Sequence, residues 1–279
     1  MKKILITGAG SYIGVSFENY LKQFEGYEVD TLDMLDPEWE KKSFEGYCAV
    51  FHVAGIAHIK ETDQNRDLYY KVNRDLAIKT AQKAKNEGVK QFVFLSTMSV
   101  YGINQGIITP QTEKKPNNAY GKSKLMAEEK LSEMNDADFT VSIVRPPMVY
   151  GKGCKGNFNT VVKLAGKSPI FPLIKNQRSM IYIDNLCEFI RLIIDEGEGG
   201  VFCPQNREYV NTSHLARLIA KGKGKKVWFS RLAGLCVVAL RPFAGILQKA
   251  FGTLIYKDLE QYDFKYCLTD FEESVKKSI

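Results

Sequence analysis

An apolar run, Lys3-Ile4-Leu5-Ile6-Thr7, stops at Gly8-Ala9-Gly10-Ser11-Tyr12-Ile13-Gly14, and helical periodicity takes over from Val15 to about Phe24. No other stretch narrows the possible folds as much. A strand, a glycine-rich turn and a helix N-terminus together make a cradle for a diphosphate. The amides point at the anion, and the glycines let backbone and phosphate approach closely. A second strand, Tyr27 to Leu32, ends at Asp33, nineteen positions after Gly14. That is the spacing of a carboxylate that accepts from the ribose hydroxyls of an adenine dinucleotide, although a strand-end turn residue has the same signature.

The alternation continues along the chain. Cys48-Ala49-Val50-Phe51-His52-Val53-Ala54-Gly55 reads as a buried strand, a helix runs from about Leu68 to Asn86 and closes at Gly88, and Gln91 to Thr97 is a further apolar strand. A turn-rich loop with Pro110 and Pro116 precedes a helix around Tyr120, which leads to the strand Thr140 to Arg145. Strands alternating with helices predict an α/β fold, a Rossmann-type doubly wound parallel sheet with its site at the strands' C-terminal ends. Gly8, Asp33, Ala54, Gly55 and Thr97 all fall at such ends. Beyond Gly151 the regularity weakens. The reading is therefore a dinucleotide-binding domain over 1–150 and a smaller, mostly helical substrate-binding region over 151–279, with return segments to the core.

Charge and cysteine usage exclude several classes. The net charge is +7, with no aromatic-basic interleaving, so nucleic acid is not an expected partner, and Lys221-Gly222-Lys223-Gly224-Lys225-Lys226 reads as a solvated loop. Six scattered cysteines without a Cys-x-x-Cys pair, and only His52, His58 and His214, predict neither disulfides nor a metal site. With no apolar leader after Met1, the chain reads as cytoplasmic. Leu232 to Tyr256 is markedly apolar, but its uninterrupted core ends at Leu240, before Arg241-Pro242, far short of the roughly 20 residues a bilayer span needs. Amphipathic helices packed over a substrate site are expected there, without integral membrane association; a monotopic membrane contact is the minority reading.

Chemistry points to Ala119-Tyr120-Gly121-Lys122-Ser123-Lys124. Tyr120 and Lys124 lie four apart among strong helix formers, so both side chains share one helix face. A phenol beside an ammonium is drawn towards phenolate, and such a pair exchanges a proton with an alcohol or ketone.

With these residues in place, the chain resembles the extended short-chain dehydrogenase/reductases of the nucleotide-sugar epimerase/dehydratase family, along nearly its whole length. The ordered motifs are Thr7 to Gly14, Asp33, Phe51-His52-Val53-Ala54-Gly55, Asn73, Leu95-Ser96-Thr97-Met98-Ser99-Val100-Tyr101-Gly102, Tyr120 to Lys124, and Arg145-Pro146-Pro147-Met148-Val149-Tyr150-Gly151. The resemblance implies NAD as cofactor, held by Gly8, Gly10, Ser11, Tyr12, Ile13, Gly14, Asp33, Ala54, Gly55, Asn73 and Lys124. It makes Tyr120 the acid/base, Lys124 the group that holds the nicotinamide ribose and lowers the Tyr120 pKa, and Thr97 the hydroxyl that bonds the reacting sugar oxygen, with Ser96 and Ser99 lining the same pocket. It further implies a homodimer through a four-helix bundle built from the helices of Asn73 and Tyr120. Ser11 stands where the family's turn has glycine, and Cys48 where an acid makes an adenine contact. Met98-Ser99 replace the Asp-Glu pair of the 4,6-dehydratases, which argues against dehydration.

Lys155-Gly156-Asn157-Phe158, Asn176-Gln177-Arg178-Ser179, Ile183-Asp184-Asn185-Leu186 and Gly252-Thr253-Leu254 resemble a polysaccharide-pathway subgroup that includes reductases of UDP-linked 4-keto-6-deoxy-N-acetylhexosamines. In it Asn157 and Arg178 match positions that hold the substrate diphosphate; the alternative for Arg178 is a strand cap or a pair with Asp184. The expected activity is oxidoreduction at C4 of a UDP-sugar, a 4-epimerase first and a 4-keto reductase second. Asp33, with no cation directly after it, favours NAD and hence the epimerase. A dinucleotide-sensing regulator on the same fold is the reading from another class, and the retained Tyr120/Lys124 pair argues against it.

Overall fold

The computed structural model describes residues 1–57, 59–240, 245–259 and 262–279, with side chains for all of these except Asn157 and Ile246. His58 and the Arg241-Pro242 step thus lie outside the described residues, as does the Asn157 side chain. The chain divides into two units. Met1–Gly102, Glu113–Pro146 and Leu186–Pro204 make the first, and Ile103–Thr112, Pro147–Asn185 and Gln205–Ile279 the second.

The first unit is a six-stranded sheet flanked by helices. Its strands are β1 (Lys2–Thr7), β2 (Tyr27–Leu32), β3 (Ala49–His52), β4 (Gln91–Leu95), β5 (Thr140–Val144) and β6 (Gly200–Phe202). All pair in parallel, in the order β6-β5-β4-β3-β1-β2. The helices are α1 (Tyr12–Leu21), α2 (Arg66–Tyr70), α3 (Leu76–Asn86), α4 (Ala119–Ser132) and α5 (Ile183–Glu196), the last belonging to this unit from Leu186 onward. From β1 the chain steps outward to the edge strand β2, then returns to the opposite side of β1 as β3. The strand order therefore reverses between β1 and β3, and their C-terminal ends flank the crevice where such sheets take ligands.

Burial explains why these segments pack as they do. Ile4, Leu5, Val50, Phe51, Phe92 and Phe94 are fully buried, as parallel strands covered on both faces require. Against Leu5, Val50 and Phe92 lie Ala77, Ala81 and Ala84 of α3 and Ala127 of α4, in one core cluster. Side chains this small let a helix sit close to the sheet. Phe51 points to the opposite face from Val50 and meets Phe17 of α1 edge-on, 5.1 Å between ring centroids.

The helix expected over Leu68–Asn86 is interrupted. A π-turn over Lys71–Asp75 joins α2 to α3, with Asn73 buried at its centre.

The second unit is less helical than its sequence predicts, because it also holds three short parallel strand pairs. They join Gly106–Ile108 to Leu254–Tyr256, Met148–Tyr150 to Met180–Tyr182, and Ile170–Pro172 to Trp228–Ser230. Three-residue strands carry too little alternation to be read from sequence. Of Leu232 to Tyr256, expected as amphipathic helices packed over a site, Phe251, Leu254, Ile255 and Tyr256 are buried, but the first helix is not. Helix Arg231–Leu240 buries only Gly234 and leaves Leu232 and Leu235 exposed at 76% and 65%. The segment has no polar side that would mark which face turns inward. Among the described residues no helix is long and apolar enough to cross a membrane.

Candidate active site

The first unit gathers most of the expected residues at the C-terminal ends of β1, β3 and β4. Gly8 follows β1 with φ +105°, and a Cβ there would lie 2.7 Å from the Ala54 nitrogen, so only glycine permits this approach of the two strand ends. Ser11 is the N-cap of α1, and its hydroxyl accepts from the Gly14 N–H at 3.2 Å. The serine thus replaces the family's glycine with a helix cap, and the first turn of α1 still directs its N–H groups outward as an anion site. Asp33 is exposed just past β2, and one carboxylate oxygen accepts from the Leu35 N–H at 2.9 Å. It thus closes a turn, and that bond uses only one of its two carboxylate oxygens. These residues fit an adenine dinucleotide.

Asn73 is fully buried and all its side-chain groups are used. Its Oδ1 accepts from the Ile56 N–H at 2.8 Å, while Nδ2 donates to the Ile56 carbonyl at 3.1 Å and to Ser123 Oγ at 3.2 Å. It therefore clamps the loop after β3 onto α4. Gly55 lies in that loop, and a Cβ on it would come within 3.0 Å of Asn73 Oδ1 and 3.4 Å of Lys124 Nζ. Ala54, Gly55, Asn73 and Lys124 accordingly share one small space.

Thr97 caps the short turn Met98–Tyr101 and its Oγ1 accepts from the Ser99 N–H at 3.1 Å. Its hydroxyl also acts on the Tyr120 phenol. Burial pushes that phenol above its ordinary pKa, and the Thr97 bond pulls it partly back. The expected effect of Lys124 on Tyr120 is not what this arrangement delivers. Lys124 Nζ donates instead to the Leu95 carbonyl at 2.7 Å and sits 4.4 Å over the Phe94 ring. Its own burial lowers it from 10.5 to about 7, with Glu128 acting in the opposite sense. In the cofactor-free fold the unfolded chain therefore holds a proton on this lysine that the folded chain releases between about pH 7 and pH 10.5. Stability should rise with pH across that window, by on the order of 4 kcal/mol. Denaturant titrations of Lys124→Met at pH 7 and pH 10 should lose most of that rise; an unchanged slope would show that Lys124 is not buried as a poorly solvated cation.

Ser96, expected to line the substrate pocket, is turned inward. Its hydroxyl donates to Glu128 Oε1, and Glu128 is only 2% exposed. Arg145 meets the same carboxylate, Nε to Oε1 at 2.9 Å and Nη2 to Oε2 at 2.5 Å, and its Nη1 donates to the Tyr101 hydroxyl at 3.0 Å. Burial opposes the Arg145 charge, but the Glu128 bonds outweigh it and hold the pKa above the ordinary value. This network ties the ends of β4 and β5 to α4, and sequence reasoning missed it. The signal was available: Glu128 follows Lys124 by four, on the face already carrying Tyr120 and Lys124.

A buried histidine completes the strand ends. His52 Nδ1 lies 2.7 Å from Thr7 Oγ1, and its ring stacks near Phe92 and Phe94. Burial and Lys124 hold it neutral, lowered to about 3.

In the second unit, Arg178 is 8% exposed. Nη1 donates to the Gly252 carbonyl at 3.0 Å, Nε has no partner, and among the described residues it forms no ion pair with Asp184 or any other acid. Burial lowers it to about 10.

Comparison with known proteins agrees with this geometry. The chain belongs to the NAD dependent epimerase/dehydratase family, whose description matches residues 4–203. A UDP-glucose 4-epimerase from Vibrio cholerae is 33% identical over 254 residues, covering 81% of this chain and 77% of that protein. An N-acetyl-alpha-D-glucosaminyl-diphospho-ditrans,octacis-undecaprenol 4-epimerase from Escherichia coli O157:H7 is 26% identical over 244 residues, 80% and 73% of the two chains. The solved UDP-glucuronic acid 4-epimerase of Bacillus cereus, in complex with NAD, superposes with a TM-score of 0.77 at 17% identity, covering 99% of this chain and 97% of that one. The chain is an NAD-dependent nucleotide-sugar enzyme of the epimerase or reductase kind.

Proposed function

We propose that this chain is a UDP-sugar 4-epimerase. The observation that carries the reading is Tyr120 and Lys124 on one helix, with Thr97, whose hydroxyl acts on the Tyr120 phenol, at the crevice end of the sheet. Gly8, Gly10, Ser11, Tyr12, Ile13 and Gly14 would hold the cofactor's pyrophosphate, Asp33 its adenosine ribose, and Ala54, Gly55 and Lys124 its nicotinamide half, with Asn73 fixing the loop that carries Gly55. When bound, NAD supplies a hydride acceptor and then a hydride donor at the sugar's C4. Thr97 fixes the C4 oxygen by a hydrogen bond. Tyr120 takes the hydroxyl proton as the ketone forms and returns it as the other epimer forms. Its raised pKa suits the second step, while the first requires a cation near the phenol, and Lys124 is the one on its helix face.

Arg178 supports a diphosphate substrate. A guanidinium buried without a counter-charge is unfavourable unless an anion completes it, and its fork matches phosphate oxygens. Arg178→Ala should raise KM for the UDP-sugar by about 2–4 kcal/mol, as for a charge-assisted pair lost from a desolvated site. Steady-state kinetics with an unchanged KM would move the diphosphate elsewhere. Asp33→Ala should weaken NAD and narrow its preference over NADP, because both an acceptor and a repulsive charge disappear. Fluorescence titration showing the wild type tighter for NADP would remove Asp33 from the ribose.

The free cysteines support a reducing compartment, the cytoplasm. Exposed Leu68 and Met126, at 46% and 39%, support a second copy packed across α2, α3 and α4. The test of the activity is incubation with UDP-glucose, UDP-galactose and their N-acetyl counterparts, with epimers resolved by proton NMR. A C4 epimer without net NADH supports the proposal. A 4-keto sugar reduced with one NAD(P)H consumed per turnover makes the protein the reductase instead. A second reading, with the sugar on a polyprenyl diphosphate as the name of the Escherichia coli relative states for that protein, is favoured by the exposed apolar helix Arg231–Leu240.

A further inference from the structure

From Tyr209 to Lys257 the chain contains nine lysines and arginines and no aspartate or glutamate, so this one segment exceeds the whole chain's net charge of +7. The remainder is slightly acidic. Among the described residues, the same segment carries a long run of exposed apolar side chains. Trp228 is 76% exposed, and its register partner Ile170 is 52% exposed. The helix that follows, Arg231–Leu240, exposes Leu232 (76%), Leu235 (65%), Val238 (45%) and Leu240 (57%).

Between Leu232 and Leu240 there is no polar side chain except the thiol of Cys236, and that too is exposed. A surface helix ordinarily turns a polar face to water. This one turns leucines outward, directly after exposed Lys223, Lys225 and Lys226 and beside exposed Arg231. Ten residues make about 15 Å of helix, half the thickness of a bilayer core, so the helix has the length to lie in a membrane surface and not to cross it. An exposed tryptophan with its polar ring nitrogen, exposed leucines and neighbouring lysines together have the composition of an interfacial helix.

We propose that the Trp228–Leu240 surface docks on an anionic phospholipid bilayer, with Trp228, Leu232 and Leu235 entering the headgroup boundary and Lys223, Lys225, Lys226 and Arg231 facing the lipid phosphates. Charge complementarity selects this occupant. A second copy of the chain would bring the same cations together, and like charges across an apolar contact oppose association. The docking does not depend on the 4-epimerase reading, since none of these residues is among those proposed to hold NAD, the sugar or the diphosphate.

The test uses the full chain and vesicles of phosphatidylcholine with and without phosphatidylglycerol. The wild type should float with the anionic vesicles, less so as salt rises. Its fluorescence should shift to the blue, since Trp228 is exposed while Trp39, the other tryptophan, is already buried at 7%. Leu232→Glu combined with Leu235→Glu should remain unbound while keeping NAD affinity, which reports an intact first unit. Each of Lys225→Ala and Lys226→Ala should weaken partitioning about fivefold. A wild type that neither floats nor shifts with anionic vesicles overturns the proposal, as does equal binding to neutral ones. So does a dimer in sedimentation without lipid that the paired glutamate substitutions split, because the surface then belongs to a second copy.

Discussion

Tyr120→Phe should remove nearly all turnover on the true substrate while leaving NAD affinity within a few-fold of the wild type. The phenol is the titratable group on which the Thr97 hydroxyl acts, and phenylalanine keeps the ring while deleting the proton. General acid–base groups contribute a factor of about 10² to 10⁴. The loss should fall on kcat, because the ring's packing against its neighbours survives. Isothermal titration with NAD separates this from misfolding. Turnover within a few-fold of wild type would sink the mechanism and move the proton transfer to another group.

The largest effect on stability should come from Glu128→Ala. The carboxylate is the counter-charge of Arg145, which is 6% exposed. Removing it strands a buried guanidinium beside Tyr101 and frees the Ser96 hydroxyl from its acceptor. Breaking one partner of such a pair costs about 3–5 kcal/mol. Urea unfolding at fixed protein concentration should show that loss, and Glu128→Met with Arg145→Met should recover most of it because no charge is then left uncompensated. A single substitution costing less than about 1 kcal/mol would mean that water reaches Arg145.

The sequence was most readable where backbone geometry dictated residue type. Gly8 and the alternation through Val50, Phe92 and Val141 are local requirements, and they marked the sheet, its order of elements and its functional edge. The residues that went unread act through partners distant in the chain. Arg145 meets Glu128 only because β5 and α4 are brought together, and periodicity carries no record of that. The inward turn of Ser96 has the same origin, since its hydroxyl follows Glu128. Lys124 stood correctly on the face of Tyr120, but the Leu95 carbonyl competes for its ammonium, and a strand end cannot be ranked against a phenol from spacing alone. Leu232 to Leu240 failed for another reason: a uniformly apolar helix contains no phase information, so hydropathy could not say which side is covered.

The π-turn over Lys71–Asp75 makes the residue count of this helical stretch a constraint in its own right. A π-turn holds one residue more than an α-turn, so the turns on either side of Asn73 are out of step with an uninterrupted helix. Deleting any one residue there would heal the ladder and rotate whatever follows by about 100°. Either Asn73 would leave Ile56 and Ser123, or Ala77, Ala81 and Ala84 would swing off the sheet. A helix is ordinarily where shortening by one residue costs packing alone. Here it would also unfasten the loop that carries Gly55, so length variation among descendants of this chain should collect in places such as Lys223-Gly224-Lys225 and be absent between Arg66 and Asn86.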